Sequence, residues 1–110
     1  MITIFDNSMG NISSVANALQ KLNVDFTISK HKKEIIKAKS IIFPGVGAFP
    51  HAVENLKKSS MLKILKQILV EKETPYLGIC LGMQILFERS DEMKPTNGLG
   101  ILQGSVKKIK

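Results

Sequence analysis

Residues 75–82 read Pro75-Tyr76-Leu77-Gly78-Ile79-Cys80-Leu81-Gly82. The run from Pro75 to Ile79 has strand length, and the residues beyond Cys80, with Met83, Ile85, Leu86 and Phe87, are predicted to form a helix. In open parallel sheets, ligands bind beyond the carboxyl ends of the strands, so a reactive residue between strand and helix stands where a site is expected. Gly78-x-Cys80-x-Gly82 has the G-x-S-x-G spacing of a nucleophile elbow, with sulfur in place of oxygen. Larger side chains two positions either side of so tight a turn would collide with neighbouring backbone, which accounts for both glycines. The usual fate of a lone cysteine is to serve as a small buried hydrophobe, and that structural reading stands beside the catalytic one.

Outward from this point, strand-length apolar runs alternate with segments of helical period, the pattern of a βαβ chain with a mostly parallel sheet. Residues 2 to 5 read as a buried first strand, and Ile12, Val15, Ala16, Leu19 and Leu22 fall at helical spacing. Val24 to Ile28 alternates like a strand, and Lys32 to Lys37 suits a short helix. Ser40 to Phe43 is an apolar strand stopped by Pro44-Gly45-Val46-Gly47. Met61, Leu62, Ile64, Leu65, Ile68 and Leu69 form one apolar helical stripe, which is core-forming. Pro95, Asn97, Gly98 and Gly100 mark turns, and Ile101 to Ile109 reads as one or two strands interrupted at Gly104. The fold class is α/β, doubly wound, in a single domain or part of one.

This geometry aims the Cys80 sulfur into a cleft and the N–H of Leu81 at the place where an acyl oxyanion would form. A second donor is expected from the glycine-rich loop Gly45 to Gly47, with the Val46 amide favoured.

Composition narrows the function classes. A chain of 110 residues that is 44% hydrophobic can bury one core without disulfides or metals, and its single cysteine excludes an internal disulfide. The formal charge of +7 comes almost wholly from lysine, since only Arg89 is an arginine. With no Trp and one Tyr, the chain lacks both the bidentate forks and the stacking platforms of nucleic-acid readers. No signal peptide or membrane-length apolar run is present, so a cytoplasmic protein without membrane or nucleic-acid partners is expected.

Gly78-Ile79-Cys80-Leu81-Gly82-Met83-Gln84 resembles the nucleophile segment of class I, or triad, glutamine amidotransferases. Pro44-Gly45-Val46-Gly47-Ala48-Phe49, Asp6 with Met9-Gly10-Asn11, and Gly98-Leu99-Gly100-Ile101 with Gly104 and Val106 are similar more narrowly to the glutaminase subunits of imidazole glycerol phosphate synthases. The resemblance implies a flavodoxin-like sheet and a Cys80 thiolate that attacks the side-chain amide of glutamine, giving a glutamyl thioester and ammonia. It implies that Gln84 and Glu92 help hold the substrate, that the Gly45 to Gly47 loop supplies oxyanion and substrate contacts, and that neither cofactor nor metal is needed. The implied partner is a (β/α)₈-barrel cyclase subunit that takes the ammonia for histidine biosynthesis. Asn11 could face that partner or cap the helix of Ile12.

Two departures accompany the resemblance. The family pairs its cysteine with a downstream His-x-Glu, whereas the histidines here, His31 and His51, suit solvent-facing positions. Residues 1–110 therefore read as the N-terminal part of one amidotransferase domain and are expected to turn over little glutamine alone. Asp6-Asn7-Ser8 stands where the family more often has Tyr-Gly after the acidic residue, which bears on partner contacts. A paralogous amidotransferase feeding a sugar-modifying synthetase, and a flavodoxin-like binding module with a structural Cys80, are the open alternatives.

Overall fold

The computed structural model describes residues 1–7 and 11–109. The expectations that rest on Ser8, Met9 and Gly10 lie outside them.

Four parallel strands make the main sheet: β1 (Ile2–Phe5), β2 (Phe26–Ser29), β3 (Ile41–Gly45) and β4 (Tyr76–Cys80), in the order β2-β1-β3-β4. Between them run α1 (Ile12–Lys21), α2 (Lys32–Lys37), α3 (Phe49–Lys58) and α4 (Met61–Val70). Side chains alternate across the pleat, so neighbouring residues of one strand feed two different cores. Ile4 and Ile42 pack with Leu19 and the apolar stripe of α1, while Phe5, Ile41 and Phe43 pack with Ile35 of α2 and the buried faces of α3 and α4. Helices therefore cover both faces, as the doubly wound reading requires. The Phe43 ring sits edge-on between Phe5 and Tyr76, with centroids at 4.8 and 6.4 Å.

Local chemistry explains the element ends. Asn11 caps α1, its side-chain oxygen accepting from the Ser14 N–H at 3.4 Å, so of its two sequence readings the capping one is realised. Val24 belongs to the turn that closes α1, its N–H bonded to the Leu19 carbonyl, and β2 starts two residues later than the alternation suggests. Pro44 and Gly45 do not stop β3 but extend it, pairing with Ile79 and Cys80. The Ile41 N–H donates to the Pro75 carbonyl, so alternation turns position 44 towards β1, where pairing has already ended at Ile42. The missing N–H of Pro44 thus removes no ladder bond.

The helix after Cys80 is a correction. It is a single turn, α5 (Leu81–Gln84), and Phe87 opens a strand, β5 (Phe87–Ser90), in place of continuing a helix. The carbonyls that would propagate the helix are taken from afar: Ile85 accepts from the Leu99 N–H at 2.8 Å, Leu86 from Ile101 and Leu102 at 2.9 Å, and Phe87 from Gly100 at 3.1 Å. β5 pairs antiparallel with β6 (Thr96–Asn97) and parallel with β7 (Leu102–Val106), forming a second, three-stranded sheet. Gly104 does not divide β7 but falls in a register shift, where Phe87 to Arg89 spans Leu102 to Ser105. Among the described residues no helix is long and apolar enough to cross a membrane.

Candidate active site

Cys80 ends β4 with φ +53° and ψ −113°, a backbone that a non-glycine residue rarely adopts. Holding it costs about 1–3 kcal/mol, which the surrounding packing must offset. The flanking glycines make the turn sterically possible. A Cβ on Gly78 would lie 2.5 Å from the Gly82 carbonyl oxygen, and one on Gly82 would lie 1.9 Å from the Phe43 carbonyl oxygen. Gly78 thus lets the turn fold over its own strand, and Gly82 lets α5 press against β3. The thiol is exposed, not sealed in the core.

Parallel pairing sets Cys80 beside Gly45, so the loop after β3 rises next to the cysteine. In that loop Val46 is exposed, and Gly47 takes φ +110°, a conformation that favours glycine, before α3 begins at Phe49. Leu81 is buried, and as the first residue of α5 its N–H has no acceptor within the helix.

A cavity of about 280 Å³ opens between these elements. Gly45, Val46 and Gly47 form one wall, and Cys80, Leu81 and Gln84 form the next. Glu92, from the loop beyond β5, closes the third side with Met93. All seven residues singled out from the sequence therefore line one space. Gln84 reaches it from the last residue of α5, and the Glu92 N–H is tied at 3.4 Å to Oγ of Ser90, which is fully buried. Among the described residues, His31 and His51 are not part of this lining. The His31 backbone N–H donates to the Ser29 hydroxyl at 3.1 Å, and both histidine residues are exposed, His51 on α3.

The cavity offers a thiol, backbone amides, a carboxamide and one carboxylate. That set suits a ligand with an amide carbonyl at one end and a cationic group at the other. Phe49, the last residue of the Pro44–Phe49 segment, also lines it, as does Met93, which no local signal in the sequence marks. A second residue missed from the sequence is Tyr76, whose hydroxyl donates to the Gly82 carbonyl across the turn. Strand periodicity could have found it, because Tyr76, Gly78 and Cys80 share one side of β4.

The family model described as glutamine amidotransferase class-I matches residues 3–97. The protein named imidazole glycerol phosphate synthase subunit HisH from Bacillus cereus (strain B4264) is 46% identical over 110 residues, covering all of this chain and 52% of the relative. Its namesake from Bacillus cytotoxicus is 47% identical over 109 residues, 99% of this chain and again 52% of the relative. A crystal structure of a glutamine amidotransferase superposes with a TM-score of 0.78 at 19% identity, covering 96% of this chain and 55% of the other, a likeness of fold. The chain thus spans about half the length of the curated relatives it matches. Matched over most of its length, the chain belongs to the class-I glutamine amidotransferase family.

Proposed function

We propose that the chain is the amino-terminal part of a glutaminase domain and carries the nucleophile and part of the glutamine pocket. One observation carries this reading: a strained, exposed Cys80 opens into a cavity that also collects the Gly45 to Gly47 loop, Gln84 and Glu92. The Cys80 sulfur attacks the side-chain amide carbon of glutamine, forming a C–S bond while the oxygen takes up negative charge. The amides of Leu81 and Val46 stabilise that oxyanion. Collapse breaks the C–N bond, and the nitrogen leaves with a proton as ammonia. Water then cleaves the glutamyl thioester, releasing glutamate and restoring the thiol. Gln84 and Glu92 orient the amino-acid end, where a carboxylate suits the substrate ammonium. The proton transfers call for the family's His-x-Glu pair, an arrangement that these 110 residues do not contain.

The relatives that bear the synthase-subunit name favour one destination for the ammonia. In this reading it passes to a (β/α)₈-barrel cyclase, forming imidazole glycerol phosphate in histidine biosynthesis, within a cytoplasmic heterodimer. Magnetic-resonance titration of a Cys80→Ser chain tests the pocket. Glutamine should shift the amides of residues 45–47 and 81–84 and asparagine should not; equal shifts with both, or shifts only at the opposite sheet edge, would refute the assignment. Co-purification with a barrel cyclase tests the partner, and failure of the two proteins to associate at micromolar concentration would count against it.

A further inference from the structure

The nucleophile turn is held by a side chain that makes no contact with the cavity. Tyr76 begins β4, and its hydroxyl donates to the Gly82 carbonyl at 2.5 Å, bridging the strand before Cys80 to the helical turn after it. The last carbonyls of a helix have no partner within it, and a helix of one turn has little else. Here the Ile85 N–H reaches Leu81 at 3.0 Å, but the Leu86 N–H, which would ordinarily serve Gly82, goes to Met83 at 3.2 Å. The phenol supplies the bond that the backbone withholds.

Gly78 leaves room for that carbonyl, since an added Cβ would come within 2.5 Å of it. Tyr76 is itself fixed, half-buried with its ring edge-on to the fully buried Phe43. Burial pushes its pKa well above the ordinary tyrosine range, which favours the protonated, donating hydroxyl. A backbone as strained as that of Cys80 persists only where its surroundings over-determine it.

We infer that Tyr76 is a positioning residue for Cys80: its hydroxyl pins the peptide after Gly82, and with it the direction of the α5 amides and the strained thiol-bearing turn. The inference rests on the reading of Cys80 as the nucleophile of a glutamine site.

The test compares the unaltered chain with Tyr76→Phe, which keeps the ring and deletes the hydroxyl. One readout is hydrogen exchange at the amides of residues 82–84. The other is the rate at which a diazo-ketone glutamine analogue labels Cys80, divided by the rate for iodoacetamide, which needs no alignment in the pocket. Exchange should accelerate about tenfold there while β1 and β3 keep their protection, and the labelling ratio should fall about tenfold. General destabilisation would accelerate exchange in β1 and β3 as well as at residues 82–84, which sets it apart from loss of the Tyr76 bond. An unchanged ratio, or unchanged local exchange, overturns the proposal. Should Tyr76→Phe fail to fold, biosynthetic fluorotyrosine alters this position alone, because the chain has one tyrosine. It is a stronger donor, so exchange at residues 82–84 should slow, and equal or faster exchange overturns the proposal. Failure of the glutamine reading shows separately: the unaltered chain then reacts with iodoacetamide but not with the analogue, while the exchange comparison still decides whether Tyr76 holds the turn.

Discussion

Gly82→Ala sets two effects against each other. Alanine in place of glycine inside a helix ordinarily stabilises by about 1 kcal/mol, so propensity alone predicts a sturdier protein. The structure predicts the reverse. The added Cβ would sit 1.9 Å from the Phe43 carbonyl oxygen and 2.9 Å from the Phe43 carbonyl carbon, both backbone atoms of the buried strand β3. Ordinary contact begins near 3.4 Å, so α5 would have to retreat by about 1.5 Å from a sheet that cannot yield. Overpacking of this kind costs about 1–3 kcal/mol where side chains can adjust, and backbone on both sides puts the expected cost near the top, about 3 kcal/mol. At about 2.1 cal/mol/K of unfolding entropy per residue, a 110-residue chain loses about 4 °C of Tm per kcal/mol. A fall of about 12 °C follows. Gly100→Ala is the control: its φ is +67° but nothing lies within 4 Å, so only conformational strain of about 1 kcal/mol is expected, or about 4 °C. Thermal melts followed by circular dichroism read both. A Gly82→Ala chain as stable as the parent, or two variants with equal losses, would refute the packing of α5 on β3.

Three further outcomes follow from the same geometry. Because the folded-state pKa of Tyr76 is raised above the ordinary 10.0, its contribution to stability is full below that value and is lost as pH rises through it towards the folded value. Alkaline denaturation should therefore show a downward slope above about pH 10 that is smaller in Tyr76→Phe, and identical slopes would count against burial of the hydroxyl. Phe43→Ala, which empties a fully buried site between two rings, should cost about 4 kcal/mol in denaturant titrations, and a loss under 1 kcal/mol would contradict the core assignment. β4 lies at the edge of the main sheet with Leu77 and Ile79 exposed, so the chain should self-associate in sedimentation and Leu77→Lys should reduce association. A strictly monomeric parent chain would overturn that expectation.

Where the sequence was legible, one local pattern decided each element. The run from Ile2 to Phe5, the stripe from Ile12 to Leu22 and the Met61 to Leu69 stripe each have a single period, and each forms the expected element, save that Leu22 falls just past the end of α1 and is exposed. The residues from Met83 to Phe87 satisfy a helix pattern locally, yet the carbonyls of Ile85, Leu86 and Phe87 are claimed by N–H groups of residues 99–102. Nothing near Phe87 in the sequence announces those bonds, so tertiary pairing turned a predicted helix into β5. Pro44 misled in a related way, since its harmlessness depends on where β1 pairing ends. The candidate site was more legible than the fold around it. Glycine spacing reports backbone approach directly, and Gly78, Gly82 and Gly47 each stand where the turn leaves no room or needs a positive φ. Tyr76 was overlooked because its hydroxyl acts across six residues on a carbonyl that only a truncated helix leaves open.

The central claim is that Cys80 is a nucleophile addressed by glutamine, and covalent labelling tests it most directly. A diazo-ketone glutamine analogue, followed by mass-spectrometric peptide mapping, should place one adduct per folded chain on Cys80. Glutamine should protect against labelling, asparagine should not, and Cys80→Ser should abolish the adduct. Labelling that occurs only after denaturation, or that glutamine leaves unaffected, would contradict the account.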